Sequence, residues 1–239
     1  RIGVLSPIRT ARRPDSRDRL RSCSTIKQQQ IPHIMAIHIK TPEEIAGLRI
    51  AGRLASELLD YLTPFVKPGI TTGELDKLAY DYTVNVQKCI PACLGYQPEG
   101  MTPYPATTCI SINHVVCHGI PGEKKLKHGD IVNIDVTSIK DGFHGDTSRM
   151  FVVGKPTIAG KRLCDLAFKT MWAGIEAVRP GGTFNDIGVA CQAFADKNGI
   201  SVVRDYGGHG IGRPTSTTSR STTRRRSSSR AWSSRSNPW

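Results

Sequence analysis

Apolar residues recur along this chain with two different periods, and each change of period marks an element. Thr41-Pro-Glu-Glu44 opens the first helical run. Thr41 can cap it, Pro42 suits the first turn, and Glu44 stands where a capping box needs an acid. Ile45, Leu48, Ile50, Leu54, Leu58, Leu59 and Leu62 follow at helical spacing until Pro64 and Pro68-Gly69 stop the run. A second helix fits Leu75 to about Val86, and Pro91 to Pro105 reads as a loop. The period then drops to two. Cys109 to Asn113 predicts a short strand, and Ile131-Val-Asn-Ile-Asp-Val-Thr137 and Phe143-His-Gly-Asp-Thr-Ser-Arg-Met-Phe151 predict two more. Helical spacing returns over Gly160–Val178 and Phe184–Lys197, and Ser201-Val-Val-Arg204 reads as a last strand.

The two central strands carry the first candidate chemistry. Lys140-Asp141-Gly142 is a hairpin turn signal. A turn centred on Lys140 and Asp141 puts Asp135 directly opposite Asp146. Like charges in cross-strand register destabilise a sheet, and a divalent cation between them turns that cost into a binding site. The bland alternative is a pair of solvated acids. A faint repeat adds to the picture: Val66-Lys-Pro-Gly-Ile-Thr-Thr-Gly-Glu-Leu75 resembles Val178-Arg-Pro-Gly-Gly-Thr-Phe-Asn-Asp-Ile187. In both, a helix ends at a basic residue followed by Pro-Gly, and a threonine caps the next. Two related halves within one α+β domain are expected.

Composition changes this picture only at the ends. The net charge of +13 suggests a nucleic-acid partner, but residues 1–34 hold eight Lys and Arg against two acids, and residues 214–239 hold six Arg and no acid. Between them the charges nearly cancel. Both ends are Arg/Ser/Thr-rich and are expected to be disordered. Seven cysteines in irregular spacing suit a reducing cytoplasm, and Cys89-x3-Cys93 is a weak zinc signal. No apolar run is long enough for a membrane span, and no secretory signal precedes Met35.

His209 stands among Gly207, Gly208, Gly210 and Gly212. Arg213-Pro214 does not open a helix, which argues against a phosphate loop. A neutral imidazole instead suits a transition metal beside Asp135 and Asp146. His118, in Cys-His-Gly-Ile-Pro, is a second candidate, whereas His114, His128 and His144 read as surface residues. Thr41-Pro-Glu-Glu-Ile45, Cys109-Ile-Ser-Ile-Asn-His-Val-Val-Cys-His-Gly-Ile-Pro121, Gly129-Asp-Ile-Val-Asn-Ile-Asp-Val136, Phe143–Phe151 and Gly208-His-Gly-Ile-Gly-Arg213 together resemble the type I methionine aminopeptidases, the bacterial and organellar form. The likeness runs in order from about Ala36 to Arg213. It implies an α+β pita-bread (creatinase/aminopeptidase) fold with pseudo-twofold half-repeats. It also implies removal of initiator methionine from nascent proteins with a small second residue, by attack of metal-activated hydroxide on the Met–Xaa bond. The cofactors implied are two divalent ions (Co, Mn, Fe, Zn or Ni), with Asp135 on one ion, Asp146 bridging both and His209 on one. His118 corresponds to a histidine that contacts substrate and stabilises the tetrahedral intermediate by hydrogen bonding. The partners implied are nascent N-termini at the ribosome, met by a cytoplasmic monomer with no membrane and no specific nucleic-acid contact.

The chain departs from that family after Arg213. The family continues with Phe-His-acid-Glu-Pro and two metal-binding glutamates, whereas no Asp or Glu follows Asp205 here. A one-base slip in reading Phe-His-Asp-Glu-Pro yields Ser-Thr-Thr-Ser-Arg, the residues at 216–220. The expectation is therefore a basic extension over 1–34 upstream of a true start at Met35, an incomplete catalytic domain over 36–213, and an out-of-frame tail over 214–239. Impaired activity follows, with the second half incomplete and a sheet edge and core face exposed. Two competing readings remain: an inactive pita-bread protein whose basic tail binds RNA or ribosomes, and a proline-specific peptidase of the same fold.

Overall fold

The computed structural model describes residues 39–98 and 100–212. The basic extension, Met35, Arg213 and the tail beyond it lie outside the described residues. The first helix, α1 (Pro42–Leu62), begins as its sequence dictates. The Thr41 hydroxyl accepts from the Glu44 N–H at 3.2 Å, and the Glu44 carboxylate accepts from the Thr41 N–H at 2.9 Å. A 3-10 turn at Thr63–Phe65 leads to α2 (Thr72–Asp81), which runs on into one π turn over Tyr82–Val86. Thr71 and Glu74 repeat the capping box there. The helix thus begins three residues before the apolar period does.

The sheet has four strands: β1 (Ile90–Pro91), β2 (Thr108–Ile112), β3 (Ile131–Lys140) and β4 (Phe143–Val152). All pairings are antiparallel, with β1 and β2 sharing one edge of β3 and β4 on the other. The alternation in β3 divides core from site. Val132, Ile134 and Val136 join α1 residues Leu58, Leu59 and Leu62 in one apolar core, while Asn133 and Asp135 point to the opposite face and are buried as well.

The hairpin corrects one expectation. Its turn is Asp141-Gly142, both in the left-handed region at φ 51° and 82°, the backbone that a two-residue hairpin turn matching the sheet's twist requires. Lys140 therefore pairs with Phe143, Asp135 with Ser148 and Asp146 with Thr137. Asp146 is diagonal to Asp135, not opposite it. The displacement is two residues, so side-chain parity survives and both acids stay on one face.

One further expectation needs correction, and α1 packs closely at one point. Along α1, Ile45 and Ile50 stay exposed while Ala51 and Ala55 near its middle are buried. The cause lies in β4, where Gly145 lets the backbones approach: a Cβ there would stand 2.1 Å from the Ala51 carbonyl oxygen. Ser201–Arg204 is not a strand, because no strand among the described residues lies beside it to complete the hydrogen bonds that a strand needs.

The repeat holds at the level of local structure. α3 (Ile158–Glu176) and α4 (Phe184–Asn198) are joined as α1 and α2 are, through a Pro-Gly turn and a threonine cap. Gly69 and Gly181 both adopt positive φ, and the Thr183 N–H donates to the Asp186 carboxylate at 3.0 Å. The halves differ in cover. α1 lies against the sheet, whereas Phe168, Trp172 and Ile175 form a stripe along α3 that stays exposed.

Candidate metal centre

One face of the hairpin gathers the candidates. Asp135 is 6 % exposed, so it is not a solvated acid. Asp146 lies on the next strand, one diagonal step away on the same face, a separation of roughly 7–8 Å in an antiparallel sheet. The loop of residues 207–212 crosses the start of β4 and brings His209 to this face. Its Nε2 stands 3.6 Å from Asp146 Oδ2, with the side chains 45 % and 15 % exposed respectively. Two donors held at about 2.1 Å by one transition-metal ion stand roughly 3–4 Å apart, so this pair is spaced for a shared ion. A carboxylate and an imidazole are also the donor types such ions take. Among the described residues, no three His, Cys, Asp or Glu side chains converge on one point. Asp135 thus flanks the Asp146–His209 pair without closing on it.

His118 occupies the loop after β2 with φ 55°. Its neighbour Gly119 presses on β2: a Cβ at Gly119 would meet the Ile110 carbonyl oxygen at 2.2 Å. The Gly119 carbonyl accepts from the Ile110 N–H at 2.8 Å, and its own N–H donates to Ser111 Oγ at 3.1 Å. These contacts fix His118 at the sheet. Its ring meets Tyr206 edge-on at 5.5 Å, next to the His209 loop.

Sequence reasoning missed a second group here. Cys109 pairs with Asp135 across β2 and β3, and the Cys93 thiol hydrogen-bonds to Cys109. That contact, together with burial, pushes the Cys93 pKa up, and burial does the same for Tyr104. These groups therefore stay neutral at physiological pH. Cys89 and Cys93 do not act as a pair, since the Cys89 thiol turns to the Gln87 carbonyl. None of the six described cysteines is in a disulfide. Cys93 and Cys109 lie too far apart in sequence for spacing to link them; only the shared edge of β3 does so. His144, read from the sequence as a surface residue, is half-buried and bonded to Gly212.

The family model for metallopeptidase family M24 matches residues 46–230, most of this chain. The chain belongs to metallopeptidase family M24. Membership implies divalent metal ions, which the Asp146–His209 pair suits. Methionine aminopeptidase of Escherichia coli K12 is 58% identical over 180 residues, covering 75% of this chain and 66% of its own length. The Rickettsia prowazekii Madrid E methionine aminopeptidase is 51% identical over 179 residues, covering 75% and 67%. The crystal structure of methionine aminopeptidase from R. prowazekii superposes with a TM-score of 0.71 over 74% of this chain and 69% of that one, at 51% identity. The chain thus spans about two thirds of the length of the curated relatives it matches. Prolidase from Pyrococcus furiosus shares the fold at a TM-score of 0.60 and 22% identity, over 73% of this chain and 49% of its own. The fold is the pita-bread architecture. No described helix is long and apolar enough to cross a membrane.

Proposed function

We propose that this site removes N-terminal methionine from polypeptides whose second residue is small, using two divalent ions held by Asp135, Asp146 and His209. The observation that carries this reading is the 3.6 Å Asp146–His209 pair on the sheet face that also holds Asp135. It occurs in a chain 58% identical to a methionine aminopeptidase. When bound, such ions lower the pKa of a water molecule and polarise the substrate carbonyl. Asp146, which neighbours both Asp135 and His209, would be the ligand common to the two ions, and Asp135 would hold one of them. His118, beside the His209 loop, supplies a hydrogen bond to the scissile amide. Cys109 is paired with Asp135 across the sheet, and Cys93 and Tyr104 both hydrogen-bond to Cys109. That soft group suits the thioether of a methionine side chain. The partners on this reading are nascent N-termini at the ribosome, and the chain works as a monomer.

The ligands named here are those that lie among the described residues. Methionine release from Met-Ala-Ser in the presence of Mn(II) tests the assignment. The unaltered chain should exceed Asp146→Ala by about tenfold or more, and a chelator should erase the difference. Equal rates from the two chains would remove Asp146 from the site.

A further inference from the structure

His144 is the residue that joins the His209 loop to the sheet. Its main-chain N–H donates to the Gly212 carbonyl oxygen at 3.2 Å, and its ring Nδ1 stands 2.9 Å from the same oxygen. A carbonyl oxygen can only accept, so Nδ1 carries the proton, and the bond itself selects the tautomer. One oxygen of the loop is thus gripped twice by one residue of β4.

Position gives that grip its consequence. His144 and Asp146 lie two residues apart on β4 and share the face that holds Asp135. Gly212 lies three residues beyond His209. Both ends of the short path from Gly212 to His209 are therefore referred to one strip of β4. The His209 ring itself is weakly held, since the 3.1 Å contact from its Nδ1 goes to the neighbouring Gly210 carbonyl and the glycines around it impose little. What sets the distance from Nε2 to Asp146 is where the loop is pinned.

We propose that His144 is a positioning residue of the metal site, clamping the Gly212 carbonyl through Nδ1–H so that His209 reaches the ion shared with Asp146. The proposal rests on the reading that Asp146 and His209 hold a divalent ion, and it names the residue that builds their geometry. A partner that orients a ligand is worth about 10–100-fold in metal affinity.

The test compares the full chain with His144→Phe, His144→Asn and His209→Ala. Mn(II) affinity is measured by calorimetry, and amide exchange over residues 208–212 is followed without metal. An asparagine side-chain N–H can stand near where Nδ1–H does. His144→Asn should therefore stay within about threefold of the unaltered chain. His144→Phe should lose about 10–100-fold, approach His209→Ala, and exchange faster over 208–212. Unaltered affinity and exchange in His144→Phe would overturn the proposal, as would an equal loss in His144→Asn. If the unaltered chain binds no Mn(II), the metal reading fails, and the exchange comparison alone decides the clamp. If His144→Phe does not fold, the imidazole 15N shifts of the unaltered chain decide: His144 protonated at Nδ1 is expected, and protonation at Nε2 alone refutes the clamp.

Discussion

Gly145→Ala isolates the contact that seats the hairpin on α1. The new Cβ would stand 2.1 Å from the Ala51 carbonyl oxygen, 2.2 Å from its carbon and 2.7 Å from the Gly52 nitrogen. Ordinary contacts of a Cβ begin near 3.4 Å, so helix and strand must part by roughly an ångström. Neither side yields cheaply: the obstructing atoms are backbone, and Ala55, Leu58 and Leu59 are buried just beyond them. Gly145 is not among the positive-φ glycines, so an alanine suffers no backbone strain and the cost is the overlap itself. Overpacking of this kind costs roughly 2–3 kcal/mol. For a domain of this size that lowers the thermal midpoint by about 4–12 °C. Gly52→Ala is the matched control, because a Cβ there meets nothing within 4 Å. In a helix interior it should gain up to about 1 kcal/mol. Urea unfolding of the three chains followed by circular dichroism makes the comparison. A Gly145→Ala chain within about 0.5 kcal/mol of the unaltered one would refute the close approach as described.

Gly142→Ala should cost about 1–2 kcal/mol through its 82° φ while leaving the Asp135–Asp146 face intact; urea midpoints measure the first and Mn(II) binding the second. Asp76 accepts from the Thr107 N–H, the Thr108 N–H and the Thr108 hydroxyl. Asp76→Ala should destabilise by roughly 2–4 kcal/mol by orphaning donors at the start of β2, and a loss below about 1 kcal/mol would contradict that role. The Glu74 pKa is held below 4.5 by the Thr71 N–H and hydroxyl. A depressed carboxylate stabilises fully above its unfolded pKa and loses that contribution as pH falls through the folded one. The gap in thermal midpoint between the unaltered chain and Glu74→Gln should therefore narrow below pH 4.5, and a constant gap from neutral pH into acid would count against the cap.

Local chemistry was legible in the sequence where it involves near neighbours. Thr41 with Glu44 and Thr71 with Glu74 are three residues apart, and the stereochemistry of a helix start leaves them little choice. The pairing of the hairpin acids was legible in face but not in register, because turn signals at Lys140, Asp141 and Gly142 overlap. Asp141-Gly142 prevails because both residues tolerate positive φ. The close seat of α1 on β4 was not legible because its contact is made by an absent side chain, that of Gly145. The alliance of Cys93 with Cys109, and of His144 with Gly212, depends on which strands lie side by side. No periodicity in one segment reports that. His209 stood out as a candidate from its glycines, but its contact with Asp146 at 3.6 Å required the fold.

The separation of these three side chains along the chain carries a kinetic consequence. Asp135 and Asp146 meet across a two-residue turn, whereas His209 arrives roughly sixty residues later through a loop docked at a strand's edge. Short-range elements assemble early and distant ones last. An ion held between Asp146 and His209 would thus gain its full coordination only after the barrier to folding has been crossed. Its presence would leave the refolding rate nearly untouched and lengthen the lifetime of the folded chain, so that it acts as a latch and not as a nucleus.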